Sequence, residues 1–267
     1  MIVIPFLLIF IYSVTESRSG PATLKFTLKH YKNFFNSVHL NVLFKSIILA
    51  FQTTVYCLIL GYPIAWIISR VPKGKQNTLI LFFILPMWIN MLLRTYAWQI
   101  ILGRNGILST ILRYPLGLIG IDFQGLLYTD TAVVIGMIYN FLPFMVLPIF
   151  TSLTNIDKNL IDAASDLGAS TKETFLKVIF PLSIPGVITG IVMVFLPSVS
   201  SFAIPRLLGG GQYILIGNLI EKQFYLLGNW NFGSAISVIL MILILLSMRF
   251  MQSKEDVKTS GGMGLPW

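Results

Sequence analysis

The chain has 267 residues, of which 55% are hydrophobic and only 11% charged, with a formal net charge of +9 and a mean hydropathy of +0.81. That balance lies outside the range of soluble globular domains. It offers no separate basic domain for nucleic acid, so no nucleic-acid partner is expected, and a single cysteine, Cys57, excludes an intrachain disulfide.

A helix crossing the hydrocarbon core of a bilayer needs about 20 mostly apolar residues. The first block, Met1–Val14, is uncharged but too short to span alone. It lacks the basic flank and small-residue cleavage site of a secretory signal, and is expected to be the outer end of a first span. Residues 15–45 are polar with interleaved aromatics, and His30 and His39 stand there without acidic or thiol neighbours at ligand spacing. They read as solvated or hydrogen-bonded histidines, and no metal site is expected.

Five full blocks follow: Ser46–Ser69, Thr78–Leu102, Thr131–Leu153, Leu182–Ala203 and Phe232–Met251. Between them lie a short basic turn at 70–77, a Gly- and Leu-rich stretch at 103–130, a polar stretch at 154–181 and a segment at 204–231. The last contains LLGGGQ, expected as a flexible re-entrant or gating turn. Backbone groups in lipid need partners within their own segment, and ten-residue alternating strands are absent, so the spans are helices. The expected fold is therefore all-α: a polytopic membrane protein of about six transmembrane helices. One domain is expected over 1–252, followed by a tail at 253–267.

Proline removes a backbone donor and kinks a helix, which lipid tolerates only when neighbours or water repair the loss. Pro63, Pro86, Pro143, Pro148, Pro185 and Pro197 all fall inside the apolar blocks, which suits helices lining a changing pathway. Gly186 and Gly190, four apart, permit close helix–helix approach.

The polar stretch contains Asp162–Pro181, DAASDLGASTKETFLKVIFP. Asn155 or Asp157 can cap a first short helix, with Leu160, Ala163, Ala164 and Leu167 on one side. Ala164 and Gly168 leave a flat patch for another protein surface. Ser170 and Glu173 match a capping box that starts a second helix carrying Phe175, Val178 and Ile179, expected to end at Pro181. The alternative is an ordinary interfacial loop. Basic residues divide evenly between the two sides, so charge alone leaves orientation open.

These residues resemble the cytoplasmic loop of bacterial ABC importer permeases, which has the form EAA, three residues, Gly, nine residues, then I-x-L-P. Here Asp162-Ala163-Ala164 is followed at the same spacing by Gly168 and then by Val178-Ile179-Phe180-Pro181. Asp replaces Glu, Val replaces Ile and Phe replaces Leu. The stretches GYPIAW (61–66), LPMWINMLLRTYAW (85–98), FLPFMVLPIF (141–150) and NWNFGSAIS (229–237) further resemble spermidine/putrescine importer permeases.

The resemblance implies a type I importer transmembrane domain in the bacterial plasma membrane, with the hairpin and the tail in the cytoplasm. It implies that Asp162, Ala163, Ala164 and Gly168 dock on an ATPase. The partners implied are a second permease subunit completing a heterodimer, two ABC ATPase subunits, an extracytoplasmic substrate-binding protein, a polyamine and membrane lipid. ATP and Mg²⁺ are expected only in the ATPase. This chain lacks a P-loop, because Ser69 stands where Gly74-Lys75 would need a leading glycine. No nucleophile elbow or zinc-protease motif occurs, and no catalytic role is expected.

None of the ten acidic residues lies well inside a span. A polycation therefore finds in this chain a lining of Trp88, Asn90, Tyr139, Asn140, Ser198, Ser200 and Ser201, with Asp122, Asp130 and Glu221 at the outer mouth. Arg94, the one charge well inside a span, would repel it. Arg94 is expected to anchor structure through helix-end carbonyls or a partner's carboxylate, or to snorkel to the outer surface. Two rivals stay open: a permease of the same class for another small solute, which Arg94 and the +9 charge leave open, and a stand-alone channel.

Overall fold

A computed structural model describes residues 3–16, 25–118, 125–211 and 213–260, with only the backbone described for 114–118 and 250–260. Thirteen α-helices follow in chain order: α1 (Val3–Val14), α2 (Lys29–Phe34), α3 (Ser37–Arg70), α4 (Lys73–Trp88), α5 (Met91–Leu102), α6 (Ile107–Leu118), α7 (Asp130–Thr154), α8 (Lys158–Asp166), α9 (Thr171–Thr174), α10 (Phe180–Ser200), α11 (Ala203–Leu208), α12 (Ile216–Glu221) and α13 (Trp230–Ser260). Two π-helical turns, Phe175–Ile179 and Lys222–Leu226, follow α9 and α12. Among the described residues the single β contact is an isolated bridge between Thr15 and Phe26.

Four helical stretches are long and apolar enough to cross a membrane, and α4 with the segment from Met91 forms a fifth that is bent by 91°. These correspond to the five apolar blocks, and α1 adds a short apolar helix of 12 residues. Large apolar side chains such as Phe51, Ile59 and Ile67 stand exposed along α3. In water such a belt would be an association hazard, whereas against lipid tails it costs nothing.

Two positions differ from the sequence expectation. The chain does not stop at Pro181: α9, the π turn and α10 run on as one helical stretch from Thr171 to Ser200. The Phe180 amide bonds the Phe175 carbonyl, five residues back, and this widened turn takes up the register change where Pro181 lacks a donor. The second difference is in α4, which breaks after Pro86 rather than merely kinking. Ile89 closes the helix onto the Pro86 carbonyl, and the Asn90 side chain accepts the Leu92 amide at 2.8 Å to start α5. Of the tail expected at 253–267, the backbone to Ser260 continues α13 and residues 261–267 lie outside the described residues.

The chain packs as two units, and α3, α5, α7 and α10 contribute residues to both. One comprises Met1–Leu49, Ile101–Val133 and Val199–Trp267. In it, α1 lies along α13, fixed where the Asn231 amide donates to the Tyr12 and Thr15 carbonyls at 3.0 and 2.6 Å. The glycine turn after α11 is packed: the Tyr128 amide donates to the Leu208 carbonyl at 2.8 Å, and Gly210, at φ +63°, sits against the Tyr128 ring.

The other unit comprises Ala50–Ile100 and Val134–Ser198. Its core runs through Cys57, Ala65, Met137, Met145, Val146 and Ile149. A Cβ on Gly186 would lie 2.6 Å from the Pro148 carbonyl oxygen, and one on Gly190 2.7 Å from Met145 Sδ. The paired glycines thus let α10 approach the backbone of α7, a small-residue contact that replaces hydrophobic driving force between helices in lipid.

Candidate functional site

Local rules build the hairpin at 154–181. Of the two available caps Asp157 is used: its Oδ1 accepts the Asn159 amide at 3.0 Å. The capping box forms in full, with Glu173 N–H donating to Ser170 Oγ at 3.3 Å and Ser170 N–H to Glu173 Oε2 at 3.0 Å. Between the helices, Gly168 N–H donates to the Ser165 carbonyl and Ala169 N–H to the Ala164 carbonyl, at 2.9 and 3.0 Å. This is a Schellman closure, and it sets Gly168 at φ +79°, a left-handed conformation that glycine alone adopts cheaply.

The two arms then have different fates. The second arm is anchored, with Thr174 and Ile179 buried. Its Phe175 lies 5.2 Å from the Trp66 ring and 6.1 Å from the Tyr62 ring, and Phe180 lies 5.8 Å from Tyr62. Ser183 spends its proton on the Phe180 carbonyl at 2.8 Å, so the Tyr62 hydroxyl donates to Ser183 Oγ at 2.9 Å. An aromatic cluster and one hydrogen bond thus join the hairpin's exit to α3.

The first arm, α8, buries no residue. Asp162, Ala163 and Gly168 are exposed and Ala164 is half-buried, and no atom lies within 4 Å of where a Gly168 Cβ would stand. Beside this bare surface Leu167 is 88% exposed and Leu160 is also exposed. Both leucines lie on the face that helical spacing assigned, and their exposure is visible only in the folded chain.

The span-lining candidates separate. Trp88, 74% exposed, and Asn90 flank the α4–α5 break. Tyr139 stacks edge-on with Trp98 at 5.3 Å, and the Arg94 guanidinium sits 6.0 Å from its centroid. Arg94 therefore competes for the ring face that an ammonium group would use. Two Arg94 nitrogens, Nε and Nη1, are buried without an acceptor among the described residues, so no helix-end carbonyl is seen to hold them. Asn140 is 3% exposed and donates to the Gly136 carbonyl at 2.8 Å, while its Oδ1 has no partner among the described residues. Ser198 is buried and bonds back to the Val194 carbonyl. Ser200 ends α10, and Ser201 and Ser200 carbonyls receive Gly217 of α12 at close range.

Among the outer acids, Glu221 is engaged by Arg206. Partial burial and the Asp130 carboxylate beside it raise the Tyr213 phenol above its ordinary pKa. Asp122 lies outside the described residues.

Residues 42–254 match the profile of the family described as binding-protein-dependent transport system inner membrane component. The chain is 37% identical over 246 residues to a spermidine/putrescine transport system permease protein PotB of Haemophilus influenzae, covering 92% of this chain and 85% of that one. It is 38% identical over 231 residues to the PotB of Escherichia coli K12, covering 86% and 83%. Among solved structures, it resembles a chain of a bacterial ABC transporter that imports the polysaccharide alginate, with a TM-score of 0.73 at 14% identity, covering 95% of this chain and 90% of that one. A chain of the MetNI methionine ABC transporter gives a TM-score of 0.57 at 16% identity, covering 83% and 94%. These two likenesses show the fold alone, one shared with chains of ABC transporters.

Proposed function

Because the chain belongs to the family of binding-protein-dependent transport system inner membrane components, we propose that it is the permease subunit of an ATP-driven importer for polyamines. It is a multi-pass inner-membrane protein. The observation that carries the cargo class is the identity of 37–38%, over most of both chains, to spermidine/putrescine permeases. In this reading the chain forms half of the translocation pathway. A second permease subunit forms the other half, two ATPase subunits bind ATP and Mg²⁺, and an external binding protein delivers the substrate.

The mechanism assigned to this chain is mechanical. The ATPase grips α8 over Ala163, Ala164 and Gly168, with Leu167 as an apolar anchor and Asp162 as a charge. Closure of the ATPases moves the hairpin. The anchored arm passes the movement through Phe175 and Phe180 to Tyr62 and Trp66 on α3, rocking the spans between inward- and outward-facing states. The chain performs no bond chemistry. Trp88 and Asn90 are its best placed contributions to the pathway, because they are exposed and Arg94 does not cover them. The carboxylates that select a polycation are supplied by the companion permease and the binding protein.

The test is ATP-dependent uptake of radiolabelled spermidine by proteoliposomes holding the complete importer. Putrescine should compete and sulfate should not. Uptake blocked by sulfate or an amino acid, with putrescine inert, would reassign the cargo.

A further inference from the structure

A second feature of the α8 region shares only Asp162 with the docking surface. The end of α3, the start of α4, the end of α7 and the first turns of α8 surround a cavity of about 520 Å³. Arg70, Lys73 and Lys158 line it, against one carboxylate, Asp162. None of the three cations has a carboxylate within 4.0 Å among the described residues. Trp66 lies on the same wall, and the Arg70 guanidinium lies 4.7 Å over its ring. The 16-residue helix α4 begins here with Pro72 as its cap, without a side-chain acceptor or an acidic residue in its first turn, so its positive end adds to the field.

We propose that this cavity is a binding site for a phosphate group, supplied by an anionic phospholipid of the inner leaflet. The depth argues for a lipid source. The cavity lies where apolar spans end, with buried Leu153 and Ile179 on its lining, which is headgroup level for a bilayer whose tails cover those spans. A headgroup phosphate there meets two basic residues from the α3–α4 turn and one from α8. It therefore ties the exposed arm of the hairpin to the spans. The assignment to the inner leaflet rests on the hairpin being cytoplasmic, but lipid binding itself is read without reference to transport.

The experiment is native mass spectrometry of the assembled importer, taken from phosphatidylcholine vesicles doped with phosphatidylglycerol. Each basic residue near an anionic surface contributes roughly fivefold in affinity. The combined R70Q/K73Q/K158Q variant should therefore retain phosphatidylglycerol about a hundredfold more weakly. The K75Q/K172Q variant, which removes exposed lysines outside the cavity, should retain it like wild type, and K158Q alone should lose retention to a lesser degree. Displacement of the lipid by inorganic phosphate would keep the phosphate site and assign it to the soluble anion. Equal retention by wild type and the triple variant, or an equal loss in K75Q/K172Q, would overturn the proposal. Should the triple variant fail to assemble, unchanged retention in K158Q would do the same.

Discussion

The Ala169 amide reaches back over Gly168 to the Ala164 carbonyl at 3.0 Å, closing α8 with its last turn left bare. Gly168 thus has two duties, a left-handed φ of +79° and an open surface. Two substitutions separate them. Gly168→Val strains the turn and adds bulk, and should abolish uptake while membrane insertion persists. Asn tolerates the left-handed region at about 1 kcal/mol or less but still adds a side chain. The docking role predicts that Gly168→Asn lowers spermidine uptake several-fold without loss of thermal stability. Wild-type uptake in Gly168→Asn would leave the glycine a turn residue only.

Leu167, almost wholly exposed in the chain alone, should be covered in the assembled importer. Burying a leucine side chain is worth about 1.5–3 kcal/mol, so Leu167→Gln should weaken ATPase association by roughly ten- to a hundredfold. Retention of the ATPase on the immobilised permease in detergent measures this, and the isolated chain should melt at an unchanged temperature.

Phe175 bridges the hairpin to Tyr62 and Trp66. Phe175→Ala opens that cluster at a cost of about 1–3 kcal/mol, because the ring is half-buried, and should leave an importer that hydrolyses ATP without moving substrate. Tyr62→Phe keeps the rings and removes only the bond to Ser183, worth about 0.5–1.5 kcal/mol, and should retain most uptake. The ratio of ATP hydrolysed to spermidine accumulated distinguishes the two variants.

Gly186 sits where an added Cβ would meet the Pro148 carbonyl oxygen at 2.6 Å. Gly186→Ala should destabilise by about 1–3 kcal/mol through overpacking and lower the detergent melting temperature. Gly74, in the first turn of α4, has nothing within 4 Å. Gly74→Ala should be neutral or stabilise by up to about 1 kcal/mol.

The parts of this architecture governed by local rules were legible in the sequence. The five apolar blocks, the Ser170–Glu173 box and the glycine pair at 186 and 190 each depend on residues a few positions apart, and each is formed. Pro181 misled because a π turn just before it absorbs the missing donor, which no residue pattern announces. The break at Ile89-Asn90 was hidden because Asn90 reads equally as a ligand contact and as a helix cap. Asn140 and Ser198, equal to Trp88 as sequence candidates, turn out buried and bonded to their own helices. Which way a side chain turns on an apolar helix is set by neighbours from other helices, not by its own segment.

The most direct test of the central claim is a cross-link from Ala164→Cys in a Cys57→Ala background, made in the fully assembled importer in its membrane. The account predicts a product with the ATP-hydrolysing subunit whose yield changes when ATP binds. Products confined to lipid, or to other loops of this same chain, would contradict it.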